Sequence, residues 1–137
     1  MPPLIPGRAG RQVQALAGPA NQARALAQQQ QGGVILVNAA DFDWEFSPVD
    51  IGRVVEGTGA GALTFTIPVS TDVPMPPYVV IEVFQAGTGQ ITIAPATGVT
   101  LDIPPGFTAQ TSGQYATIGL RQRVIDEWVI NGDLAAS

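Results

Sequence analysis

Two rhythms of apolar residues run along this chain, and the change between them falls at Val34. Before it, Val13, Leu16, Ala20, Ala23 and Ala27 recur at alternating spacings of three and four, a thin seam of the kind that joins helices. Gly18-Pro19 cuts that seam into two pieces, each too short to hold a helix alone. The opening "MPPLIPG" suits neither a helix nor a central strand, because proline lacks an N–H and fixes its φ. Residues 1–33 are therefore expected to form an extended or partly helical N-terminal arm that orders only against a partner.

From Val34 onward the period is two. "VILVN" is a short apolar strand. "DFDWEF" puts Asp41, Asp43 and Glu45 on one face and Phe42, Trp44 and Phe46 on the other. "SPVDIG" predicts one helical turn, with Ser47 as its cap and Pro48 in the first position. "LTFTIP" points Leu63, Phe65 and Ile67 inward, and "VSTDVPMPP" is too rich in proline to enter a sheet. "YVVIEVFQ", apolar on both faces apart from Glu82, predicts a central strand covered on both sides. In "VIEVFQAGTGQITI" the glycines Gly87 and Gly89 predict a tight turn at positive φ, hence a hairpin. Ile91, Ile93, Val99, Leu101 and Ile103 are then expected inside, and "GQYATIGLRQRVI" with "EWVINGDL" makes a closing hairpin around Asp126-Glu127. The fold class that follows is all-β: over residues 34–137, a β-sandwich or jelly-roll-like domain of about eight short strands.

Composition narrows the chemistry. Charged residues make up 12% of the chain and there is no cysteine or histidine, so thiolate, disulfide and imidazole chemistry are closed to it. The sequence contains no lysine either, which removes Schiff-base chemistry. The net charge of −5 is unevenly placed: Arg8, Arg11 and Arg24 stand in an arm without acids, whereas the body sets Arg53, Arg121 and Arg123 against all eleven carboxylates. An acidic body argues against nucleic acid as a partner. No apolar stretch is long enough for a helical membrane span, and the start does not read as a secretion signal.

Four constellations invite a functional reading. Asp41, Asp43 and Glu45 are the hard-oxygen set that Ca²⁺ takes, or a carboxylate pair for glycoside cleavage. Alternate strand residues stand about 6.5–7 Å apart, however, too far to share one ion, and a half-wet strand explains the pattern. "EGTGAGA" echoes a dinucleotide fingerprint, but a strand follows it where that motif needs a helix. Arg121 and Arg123 share a strand face with Asp126 and Glu127 beyond, which reads as a solvated charge set or as a grip for a carboxylate or a neighbouring subunit. Trp128 and Tyr115 supply either core and edge aromatics or a sugar-stacking face. No nucleophile–base pair, metal site or cofactor site can be assembled, so the chain is expected to bind rather than catalyse.

From Phe42 to Leu134 the order of motifs resembles a β-domain that recurs in bacteriophage virion structural proteins, including tail-fibre, head-fibre and capsid-decoration proteins. The resemblance rests on the aromatic-alternating strand, the "SPVDIGRVV" turn-and-strand, "LTFTIP", "VIEVFQAGTGQITI", "GVTL" and "EWVINGDL". It implies a place on the virion and a tendency to trimerise, and it carries over no functional residue. The expectation is a capsid-decoration (cement) or short head-fibre protein on the particle exterior, assembled in the host cytoplasm. Leu4, Ile5, Val13, Leu16 and Leu26 of the arm would lie on the major capsid or another virion protein, with Arg8, Arg11 and Arg24 pairing acids there. The rival readings are a tail-fibre or host-glycan binding module using loops 70–77 and 104–114, a small glycan-degrading enzyme, and a non-viral adhesin module.

Overall fold

A computed structural model of the chain describes residues 33–38 and 43–137. The arm residues 1–32, all eight proposed docking side chains among them, lie outside the described residues, as do Asp41 and Phe42. The described chain forms eleven strands: β1 (Val34–Asn38), β2 (Trp44–Glu45), β3 (Val54–Thr58), β4 (Leu63–Ile67), β5 (Val80–Gln85), β6 (Ile91–Pro95), β7 (Thr100–Asp102), β8 (Phe107–Thr111), β9 (Thr117–Val124), β10 (Glu127–Gly132) and β11 (Leu134–Ala136). One 3₁₀ turn, Pro48–Asp50, follows Ser47 as the sequence predicts.

The strands make two sheets, ordered β1-β3-β5-β9-β10-β7 and β11-β8-β6-β4-β2. Their inner faces share one core, with Phe46, Phe65, Ile81, Ile91, Ile118, Trp128 and Ile130 among its buried members. The β-sandwich is thus present, with more and shorter strands than the sequence suggests. Period-two alternation is the cause: β4 reads buried at Leu63, Phe65 and Ile67 and half-buried at Thr64 and Thr66. Each fully buried aliphatic or aromatic side chain contributes about 1.5–3 kcal/mol relative to exposure. Phe46 and Phe65 meet edge to face at 5.8 Å between centroids, a favourable quadrupole arrangement.

The connectivity departs from the expected hairpin. β5 and β6 lie in different sheets: β5 pairs in parallel with β3, and β6 in parallel with β4. β1 pairs in parallel with β3, and β2 with β4, so the chain alternates between sheets and winds as a coil. Beyond this half the pairing is mostly antiparallel, with β9 against β5 and β10, and β8 against β6 and β11, while β7 pairs in parallel with β10 at the sheet's other edge.

Stacking of successive coils, not positive φ, explains the "AGTG" glycines. Neither Gly87 nor Gly89 is among the positive-φ residues. Instead the turn at 86–90 lies directly on the turn at 58–62: the Gly87 N–H donates to Gly57 O at 3.2 Å, and the Gly89 N–H to Gly59 O at 3.2 Å. A Cβ on either glycine would stand 2.0 Å from a backbone oxygen of the earlier coil.

Two more expectations change. β5 is central in its sheet but buried on one face only, since Val80 and Glu82 are exposed while Ile81 and Val83 are buried. Among the described residues nothing packs over this sheet's outer face. Ile103 is exposed as well, because β7 ends at Asp102 before it. The closing hairpin stands as expected: β9 and β10 are joined through Asp126 at φ +62°.

Candidate functional site: the outer face of the six-stranded sheet

The outward-pointing positions of β1, β3, β5, β9 and β10 define one continuous surface. Cross-strand register sets Val34, Val54, Glu82, Gly119 and Asn131 in one row, and Leu36, Glu56, Phe84 and Thr117 in the next. A third row carries Val80, Arg121, Val129 and Asp102. The β1 end is apolar, with Val34 52% and Leu36 67% exposed. Toward β9 the surface becomes polar, with Glu56, Glu82 and Asp102 beside Arg121.

Arg121 joins two shallow depressions on that face. One, of about 200 Å³, is lined by Val80, Gly119, Leu120, Arg121 and Asn131. The other, of about 330 Å³, is lined by Tyr78, Arg121, Arg123 and Val124. Gly119 sits beside Glu82 across the ladder, and its missing side chain leaves the floor of the first depression low. Tyr78 is held at φ +68° while its N–H donates to Gln122 O at 2.7 Å. A bulky residue in the left-handed region is strained, and its ring is 75% exposed.

The charge set predicted around β9 is divided. Arg123 Nη1 contacts Glu127 Oε2 at 2.8 Å. Asp126 turns away and accepts from the Ser70 N–H at 2.8 Å and the Ser70 hydroxyl at 2.7 Å. Arg121 makes no ion pair among the described residues. Arg53, the third arginine of the body, is buried near Asp50, so Arg121 and Arg123 are the exposed cations of the described surface.

The acid–aromatic strand serves the fold. Asp43 accepts from the Thr64 N–H at 3.0 Å, fastening the first coil to the second. Among the described residues no group of three acids is placed to hold a metal ion. Asp50, a neighbour the sequence did not single out, has no exposed surface. One of its oxygens accepts from the Trp44 indole at 3.1 Å and the Ser47 N–H at 2.8 Å, while the other is buried without a hydrogen bond. Burial pushes the Asp50 carboxyl above its ordinary value, opposed by the Ser47 N–H, the Trp44 indole and Arg53.

Of the proposed glycan loops, neither is a free loop. Segment 70–77 is tied down by the Ser70–Asp126 bonds and by the Gln122 amide, which donates to Met75 O at 3.2 Å and Pro76 O at 2.7 Å. Segment 104–114 contains β8. Trp128 is a core residue, whereas Tyr115 lies exposed and stacks on Phe84 with centroids 6.3 Å apart. Tyr78, in the loop before β5, and Asn131, on β10, escape a sequence reading because only the folded sheet sets each beside Arg121; the arginine pair on one strand face is the available signal. Compared with known proteins, the chain matches no family model, no curated protein and no solved structure.

Proposed function

We propose that this chain is a bacteriophage virion structural protein, a capsid-decoration or short head-fibre protein that assembles as a homotrimer. Its arm docks on the major capsid or another virion protein, and its sandwich is displayed on the particle exterior. The motif order from Phe42 to Leu134 supports the class, and one structural observation carries the assembly: strand β1. "VILVN" is uncharged, lacks proline, borders the six-stranded sheet and exposes Val34 and Leu36. Sheets ordinarily protect such an edge with charge, proline or a covering element. An apolar edge without these devices among the described residues suits a chain whose β1 region is covered by another copy.

The work of such a protein is mechanical. Each arm buries a few apolar side chains, each contributing about 1.5–3 kcal/mol before the entropy of ordering is subtracted. Linking three arms converts weak docking into firm attachment through effective concentration. The test is light scattering together with co-sedimentation against particles, on the full chain and on residues 34–137. Both should fold and only the full chain should sediment with particles; equal sedimentation by the shorter chain removes the arm from the mechanism. Leu36→Lys should leave the fold intact and convert the trimer to monomer.

A further inference from the structure

We infer that the β9 groove is a binding site for an acidic saccharide, with a carboxylated sugar unit over Arg121, Arg123 and Tyr78 and a neutral unit over Gly119 and Asn131. This goes beyond the assembly role and uses strands β5, β9 and β10 rather than the β1 edge.

The chemistry follows from the lining. A guanidinium presents a planar fork of donors that matches a carboxylate, and Arg121 has no competing ion pair among the described residues. Arg123 keeps its pair with Glu127 at 2.8 Å, so Arg121 is the guanidinium left to meet one carboxylate, with Glu82 and Asp102 on the same face limiting the site to a single anion. Tyr78 offers an exposed ring on which the apolar face of a sugar stacks, and it lines the same depression as Arg121 and Arg123. Backbone strain such as that at Tyr78 persists where the surrounding structure imposes it, and such positions gather at ligand sites.

The other depression differs in kind. It has an amide, Asn131, a floor without a side chain, Gly119, and Glu82 directly across the ladder from that glycine. Glu82 repels a second carboxylate there, so an uncharged unit with hydroxyls fits. Arg121 lines both depressions, which makes them one elongated groove for at least two linked units. The acidic body, −8 over residues 34–137, opposes anions at long range, but salt screens beyond about 8 Å at physiological strength. Binding is therefore local and weak.

The test is titration of the full chain with sialyllactose and with trigalacturonate, followed by NMR shifts and calorimetry, with lactose, acetate and inorganic phosphate as comparisons. Sialyllactose should bind saturably in the millimolar range and shift Tyr78, Arg121 and Arg123, while lactose should not. Arg121→Gln and Tyr78→Ala should each weaken it about tenfold with the melting profile retained. Glu127→Gln, which frees Arg123, should tighten it about threefold, a change that a purely structural role for Glu127 would not produce. Equal affinity in Arg121→Gln, or no saturable binding by either acidic saccharide, overturns the site. Acetate or phosphate binding as tightly as sialyllactose would reduce it to a simple anion site and overturn the saccharide assignment. Arg121-dependent self-association without sugar binding would assign the groove to a protein carboxylate instead.

Discussion

Gly87 lies against Gly59 so closely that a methyl group on Gly87 would stand 2.0 Å from the Gly59 carbonyl oxygen. Backbone meets backbone here, and no flexible side chain can yield. Gly87→Ala should therefore force the two coils apart and cost at least about 2–3 kcal/mol, at the upper end of overpacking penalties. Gly113→Ala, at a position with nothing within 4 Å, is the control and should stay within about 0.5 kcal/mol. Urea unfolding of the two variants checks the contrast.

Asp50 should make stability depend on pH in an uncommon direction. Its folded carboxyl is raised above the ordinary value of 3.8, chiefly by burial. The ionised form is thus the costly one, and the cost is fully present above the raised value. It fades as pH falls through that value toward 3.8, where the group is protonated in the folded state first. Asp50→Asn should retain the Trp44 and Ser47 contacts and remove this contribution. The difference in unfolding free energy between variant and parent should shrink as the pH is lowered across that window; a difference independent of pH would contradict the account.

The Ser70–Asp126 pair should hold the 68–77 segment to the β9–β10 turn. Ser70→Ala removes the 2.7 Å hydroxyl bond to a carboxylate and leaves the 2.8 Å N–H bond in place. Hydrogen bonds to charged groups contribute about 1.5–3 kcal/mol, and partial exposure places this one near the lower figure. Limited proteolysis should then cut within 68–77 faster than in the parent.

Tyr78 should be more stable as glycine. Left-handed backbone costs a residue with a Cβ about 1–2 kcal/mol, and the ring is too exposed to contribute much by burial. Tyr78→Gly should raise the melting temperature by a few degrees or leave it unchanged. A clear loss of stability would show that the ring has a packing role.

Most of the sandwich was legible because alternation writes burial directly into the chain. Leu63, Phe65 and Ile67 inside and the β9–β10 hairpin follow from pattern alone. The coil did not, since a glycine turn between two alternating strands looks the same whether the chain doubles back or crosses to another sheet. The signal was still there: "EGTGAGALTF" and "FQAGTGQITI" share a glycine-x-glycine run followed by an aliphatic residue, threonine and a large apolar residue. In the structure these segments stack with Gly57 beside Gln85 and Leu63 beside Ile91. The exposed face of β5 was missed for a related reason: Val80 and Phe84 are apolar, and period-two reading cannot tell a covered face from a bare one. The groove lay further from view. Tyr78 and Asn131 are neighbours of Arg121 only in the folded sheet, and no local motif announces them.

Among the described residues the parallel half of the fold ends at β1, whereas the other half is stoppered mainly by antiparallel strands. Growth is therefore polar. A further "G-x-G" winding inserted ahead of Val34 would find a ready template in β1 and would take the place of the neighbouring copy there. At the far end a comparable insertion would have to dismantle the plug. In such an architecture, length can be tuned from one side while the groove at the other stays fixed.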